Sequence, residues 1–153
     1  MSRKITVGVA ALIVQDQKLL VARRKAYVRP ESGRPAAGAG RLALPGGHNE
    51  QDEPYNITAE REAWEETGLA VKAFKWDGLR YDLHTRFTME CGRHHLTIYV
   101  PTYVTGGVLG DLEPEKHEPW MWVTLSQAQE MVGCDQSWLP VDIMMRYREE
   151  LYL

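Results

Sequence analysis

Residues 47–69 read GHNEQDEPYNITAEREAWEETGL, and they demand a turn, a helix and a tight stop in fixed order. Pro54 suits a first helical position, and Gly68 suits the left-handed residue that ends a helix. The spacing predicts a helix over residues 54–67. At about 100° per residue, Glu62, Glu65 and Glu66 fall within an arc of about 100°. Glu60 lies well away from that arc. Arg61 and Glu65 are one turn apart and can pair. Ala59 with Ala63, and Ile57 with Trp64, are expected to supply buried faces.

Carboxylates packed this closely repel one another unless a positive charge sits among them. The plain reading is a solvated helix face balanced by pairs one turn apart. Two features stand against it. Residues 54–67 contain no lysine. A Gly-Gly turn also stands upstream, where a backbone carbonyl can complete an oxygen-rich shell. Mg²⁺ takes oxygen ligands in octahedral geometry and keeps waters and substrate phosphates in its shell. The stretch therefore points to a hard divalent cation and to chemistry on an anionic substrate.

The remaining sequence sets that helix in a mixed α/β chain. Residues 5–14 are β-branched and almost wholly apolar, which fits a strand buried on both faces. Asp16 and Gln17 make a turn, and residues 18–22 read as the hairpin partner. Residues 29–41 are rich in Gly, Ala and Pro and read as a long loop. Residues 42–44 form a short strand closed by Pro45-Gly46-Gly47. Residues 71–83, 86–89, 96–105 and 120–123 look like strands. Helices are expected over 127–132 and 141–151. Strands and helices alternate without a regular βαβ rhythm.

At 153 residues the chain, 1–153, is expected to form one domain. Its formal charge of −3 gives no reason to expect nucleic acid or a membrane surface as partner. A polyanionic substrate must then be held by local Arg and Lys or by a metal. Cys91 and Cys134 have no CxxC spacing. The basic start, residues 1–4, lacks the apolar stretch of a secretory signal. A reducing, cytoplasmic compartment is the expectation. No apolar run approaches the length of a membrane span.

Residues 47–69 resemble the signature of the Nudix hydrolases. That signature is a Gly, five residues, a Glu, seven residues, then Arg-Glu-apolar-any-Glu-Glu-any-Gly-apolar. Gly47, Glu53, Arg61, Glu62, Ala63, Glu65, Glu66, Gly68 and Leu69 fill every fixed position. The resemblance implies a mixed sheet sandwiched between helices. It also implies cleavage of a nucleoside diphosphate linked to another moiety, by metal-activated water attacking phosphorus. Glu62, Glu65 and Glu66 are then metal carboxylates, with Mg²⁺ expected and Mn²⁺ as substitute. Glu62 is also a candidate for orienting or deprotonating the water. The Gly46 carbonyl is a backbone metal ligand, and Arg61 and Glu53 pair to fix the loop against the helix.

The flanking residues are similar to MutT-like members that cleave nucleoside triphosphates. Leu44-Pro45-Gly46-Gly47-His48 matches their opening, which places Gly47 and His48 at the substrate. Arg23 and Arg24 match an arginine pair that faces phosphates; alone, they read as surface charge. Residues 113–122 (EPEKHEPWMW) are similar to a segment of members that sanitise oxidised nucleotides. Glu118 falls where these members often carry a further metal-binding or basic carboxylate, and otherwise reads as an exposed loop acid. Of Trp120 and Trp122, one is expected to face the core and the other a cleft. Residues 137–140 align with a segment that walls the base pocket, which offers Trp138 and Leu139 to a purine.

Two departures stand out. Residues 29–41 are longer than the usual connection and are expected to form a disordered insertion rather than a phosphate lid of Arg29, Arg34 and Arg41. Asn49 and Gln51-Asp52 replace the commoner Leu or Ile and Phe-Gly. The resemblance makes the expected reaction release of pyrophosphate from a nucleoside triphosphate, with oxidised purine deoxynucleotides such as 8-oxo-dGTP favoured. Hydrolysis of a nucleotide sugar or pterin triphosphate, and a catalytically silent binding module, are the alternatives. A homodimer is expected because relatives form them. His94-His95, with no paired Cys or third His nearby, is expected near the pocket or a strand edge rather than on a transition metal.

Overall fold

The computed structural model describes residues 5–74, 86–90, 93–133, 139–146 and 148–153. The central strand is β1 (Ile5–Gln15), a run of β-branched and small apolar residues. It turns through Asp16 and Gln17 into β2 (Lys18–Arg23). Both turn residues sit at positive φ, 49° and 60°, the geometry that matches a two-residue turn to strand twist. β3 (Leu42–Ala43) pairs with β2.

Pro45-Gly46-Gly47 is more than the closing turn expected. β4 (Gly46–His48) pairs antiparallel with β1, at Gly8↔His48, Val9↔Gly47 and Ala10↔Gly46. The absence of side chains permits this approach. A Cβ on Gly46 would collide with the Val9 carbonyl and stand 2.9 Å from the Ala10 Cα.

Next come α1 (Tyr55–Thr67) and β5 (Leu69–Ala73). Gly68 caps the helix at φ 75°, its amide donating to the Trp64 carbonyl. Pro54 is the residue before the helix rather than its first turn, because its ψ of 144° is extended. β6 (Arg86–Glu90) pairs with β7 (Arg93–Gly107). β7 is longer than the strand read from the sequence and lies parallel to β1 from Ile5↔His94 to Val14↔Tyr103. The expected strand over 71–83 is β5 as far as Ala73; residues 75–85 lie outside the described residues, as do Cys91 and Cys134. β8 (Met121–Val123) pairs with β2.

α2 (Leu125–Val132) begins earlier than expected. Thr124 and Gln127 form a reciprocal capping box, which satisfies two otherwise orphaned amides. α3 (Val141–Arg146) is shorter than expected. The chain turns after it and returns Leu151 to the core.

The sheet path is β3-β2-β1-β7-β5, with β4 on β1, β6 on β7 and β8 on β2. Alternation along β1 feeds two cores. Val9, Ala11 and Ile13 meet Ala59 and Ala63 of α1. Ala10, Leu12 and Val14 share the opposite layer with Ala128 of α2 and Met144 of α3. This is the expected mixed sheet between helices. One part of the helix reading is corrected. Ala59 and Ala63 are fully buried, but Ile57 and Trp64 are 44% and 56% exposed. Positions 57 and 59 are about 200° apart on a helix, so a single sheet can cover only one of the two faces. The small alanines let α1 lie close to β1. Among the described residues, no helix is long and apolar enough to cross a membrane.

Candidate active site

The site is built around α1 and the β4 loop that precedes it. Arg61 is the hub. Its Nε donates to Glu53 Oε1 at 2.9 Å, and Nη2 to Glu53 Oε2 at 3.2 Å and to the His48 carbonyl at 3.3 Å. Nη1 donates to Glu62 Oε1 at 2.9 Å and to Glu65 Oε2 at 3.3 Å. The planar fork suits this task, since it presents five donors in a fixed geometry. Hydrogen bonding to Arg61 holds the Glu53 carboxyl down to about 2, against the cost of its burial. The Glu53 bond in turn pushes Arg61 above its ordinary value.

Asn49 and Asp52, where the sequence departs from its relatives, complete the same loop. Asn49 Nδ2 donates to the Glu53 carbonyl at 2.9 Å and to Thr58 Oγ1 at 2.7 Å. Thr58 Oγ1 donates to Glu53 Oε2 at 2.8 Å. Asp52 takes φ 61°, a left-handed position where Gly is freest and Asp is tolerated. The loop keeps its shape by polar stapling.

The three helix glutamates divide by burial. Glu65 is exposed, whereas Glu62 and Glu66 point into the protein. Glu62 lies against Gly47 so closely that a Cβ there would fall on its carboxylate. The Gly46 amide donates to Glu66 Oε2 at 3.3 Å. Burial, together with the neighbouring Glu113 and Glu62 charges, pushes Glu66 up to about 8. Burial also raises Glu62, although Arg61 opposes it. Acids held in this state favour a compensating cation. Their all-oxygen donor set, next to the Gly46-Gly47 backbone, fits Mg²⁺ or Mn²⁺.

The facing wall comes from residues 113–120. Lys116 Nζ donates to Glu113 Oε1 at 2.7 Å and lies 6.0 Å from the Tyr27 ring centre. Burial lowers Lys116, but the Glu113 bond and the nearby carboxylates outweigh it and raise it on balance. Trp120 Nε1 donates to the Glu66 carbonyl at 3.2 Å. Trp120 is buried in the core and also lines the cavity, and Trp122 packs partly buried against that same core. Backbone bonds from Lys25 to Lys116 and from Glu118 to Arg23 pin this wall beside β2.

Between these walls lies a cavity of about 370 Å³. Gly46, Gly47, His48 and Glu66 form one side. Ala43, Leu44, Tyr99 and Trp120 supply apolar surface, while Arg24 and Lys116 supply positive charge. Residues 29–41 are not the disordered insertion expected. Val28 bridges Pro35, and the amides of Ala36 and Gly33 donate to the carbonyls of Tyr27 and Arg29. The segment is thus tied to itself. It brings Arg29, Glu31, Ala36 and Ala37 to the cavity beside Tyr27, whereas Arg34 is exposed.

Several expected site residues stand elsewhere. Arg24 lines the cavity, but Arg23 does not; Arg23 Nη1 donates instead to the Gly40 carbonyl at 3.0 Å. Neighbours at a strand end face opposite ways, which sets the two side chains apart. Glu118 is exposed, and Glu113 is the acid that faces Glu66. Leu139 is 1% exposed in the core beside α3, not in the cavity wall. Its apolar character fits either place, and packing against Val141 and Met144 decides. Trp138 lies outside the described residues. His95 lines the cavity, as expected for one of the two histidines. Tyr27, Lys116 and His117 also line the cavity, and Glu113 faces Glu66 beside it. The Glu113–Lys116 spacing is a pairing signal, but sequence alone cannot say which of Glu113, Glu115 and Glu118 turns inward.

A family model described as the NUDIX domain matches residues 3–141. Among solved structures, the chain is similar to a MutT protein from Methanosarcina mazei Go1, at 23% identity and a TM-score of 0.70, covering 98% of this chain and 97% of that one. It is also similar to a MutT NUDIX hydrolase from Burkholderia pseudomallei, at 26% identity and a TM-score of 0.60, covering 81% and 86%. An ADP-ribose pyrophosphatase from Streptococcus suis shares 19% identity at a TM-score of 0.51, covering 79% and 75%.

Proposed function

The chain belongs to the Nudix hydrolase family, and on that premise we propose that it hydrolyses a nucleoside triphosphate to a monophosphate and pyrophosphate. One observation carries the reading. Glu66, with the Glu62 carboxylate close by against Gly47, lines a cavity that joins apolar and aromatic surface to Arg24, Arg29 and Lys116. That surface suits a flat base, and the cations suit a polyphosphate. An oxidised purine deoxynucleotide such as 8-oxo-dGTP is the favoured substrate.

Glu62, Glu65, Glu66 and the Gly46 backbone would hold Mg²⁺ or Mn²⁺. When bound, the ion neutralises the phosphates and acidifies the attacking water. The protein's own groups do the positioning. Arg61 fixes the Glu62 carboxylate through Nη1 and ties it to the β4 loop through Glu53 and His48. Glu62, whose carboxylate lies against Gly47, would orient the water or take its proton. Arg24, Arg29 and Lys116 bind phosphate oxygens, and Tyr27, Tyr99 and Trp120 wall the base. In-line attack then depends on positioning and charge stabilisation.

The test is a panel of canonical and oxidised nucleotides, nucleotide sugars and ADP-ribose, each with and without Mg²⁺. Pyrophosphate and a monophosphate are expected from a triphosphate, only with metal. Orthophosphate as the sole product, or turnover confined to diphosphate-linked compounds, contradicts the proposal. Glu66→Gln is expected to lower turnover by at least about 100-fold in a folded protein.

A further inference from the structure

His117 sits in the cavity wall opposite α1. Its ring packs on Trp120 with centroids 4.5 Å apart, and only 8% of its side-chain surface is exposed. Among the described residues, neither Nδ1 nor Nε2 has a hydrogen-bond partner. Asp111 Oδ1 stands 3.6 Å from Nδ1, outside hydrogen-bond reach. A buried imidazole normally uses both nitrogens, because the desolvation cost of each is otherwise uncompensated.

What faces the ring explains the vacancy in its bonding. One oxygen from Glu66, one from Glu113 and one ring nitrogen of His117 all lie within 4.8 Å of one another. In an octahedral shell with bonds of about 2.1 Å, ligands stand about 3.0 Å apart when adjacent and about 4.2 Å when opposite. At most one of the three pairs can be opposite, so a contraction of up to about 1.8 Å brings the three onto one ion. Glu113 gives Oε1 to Lys116 and keeps a second oxygen. We propose that Glu66, Glu113 and His117 form a mixed oxygen–nitrogen site for a divalent first-row transition ion such as Mn²⁺, Co²⁺ or Zn²⁺, beside the all-oxygen group of Glu62 and Glu65. Imidazole suits these ions, whereas Mg²⁺ prefers oxygen. The site rests on the reading of Glu66 as a cation ligand and adds a ligand that makes the protein discriminate between metals.

The experiment uses the full chain without nucleotide. Mn²⁺ bound to the wild type is expected to show electron-spin-echo modulation from a directly bound imidazole nitrogen. His48 and His95 also line the cavity, so His117→Gln and His117→Asn assign the nitrogen. In whichever of the two is folded, the coupling is lost and the ratio of Mn²⁺ to Mg²⁺ affinity falls at least about ten-fold. Glu113→Gln is expected to weaken Mn²⁺ as well. A wild-type spectrum without nitrogen coupling, or one unchanged in the His117 variants, overturns the site. Turnover is measured separately with Mg²⁺. Pyrophosphate release without nitrogen coupling refutes the site and leaves the proposed hydrolysis standing. Nitrogen coupling without turnover on any nucleotide does the reverse.

Discussion

Glu66 is the residue with the sharpest electrostatic conflict. In the metal-free protein, burial and nearby carboxylates hold its carboxyl at about 8, against an ordinary 4.5. Between those values the folded chain keeps a proton that the unfolded chain has lost. Its contribution to stability is fully present below 4.5 and is lost as pH rises through about 8. Glu66→Gln should abolish that slope. With chelator present, the variant is expected to exceed the wild type at pH 8.5 by on the order of 2–4 kcal/mol, with the gap narrowing toward pH 5. Denaturant melts at both pH values check this, and parallel slopes would count against it. Added Mg²⁺ should stabilise the wild type more than the variant. Arg61 fails differently. Arg61→Lys keeps the charge but cannot bridge Glu53, Glu62 and the His48 carbonyl together. A fall in kcat of about 10-fold or more is expected, and activity within two-fold of wild type would show that the fork is dispensable.

At the level of elements, the unit that matters is β4 with its loop and α1. Its two glycines do different jobs. Gly46 lets β4 cross β1 without striking the Val9 carbonyl, and Gly47 leaves room for the Glu62 carboxylate. Gly46→Ala should therefore cost stability, about 1–3 kcal/mol. Gly47→Ala should displace Glu62 and cut turnover at least about ten-fold with little change in melting temperature. Measuring both quantities on both variants separates the roles, and equal losses in each would contradict the division. The same unit shows how far sequence reading carries. The helix, its stop at Gly68 and the one-turn reach of Arg61 to Glu65 follow from residue spacing. The pairing of β4 with β1 does not, because a Pro-Gly-Gly run carries no strand signal and acquires its role only when β1 lies alongside.

At the scale of the molecule, two cores on opposite faces of one sheet hold α1 on one side and α2 with α3 on the other. The site lies where α1, β4 and residues 113–120 converge, with residues 25–41 as a further wall. That wall lines the cavity that we assign to the substrate. Replacing residues 30–35 with a short Gly-Ser link should leave metal binding and stability nearly intact while raising KM for the nucleotide by about three-fold or more. Steady-state kinetics on the shortened chain test this. A fall in kcat at constant KM would place the segment in the chemistry instead.

Spacing along residues 47–69 determined the helix, the clustered acids and the family, because one turn of helix is a local, periodic constraint. The nearly continuous apolar run of residues 5–14 likewise foretold a strand buried on both faces. Tertiary structure decided which charged residues meet. It set Arg24 rather than Arg23 at the cavity and Glu113 rather than Glu118 beside Glu66, and it buried Leu139 in the core. It also left Ile57 and Trp64 exposed and folded residues 29–41 into a wall. These choices depend on which face of a strand or loop is pressed against a neighbour distant in sequence. No local pattern encodes that neighbour.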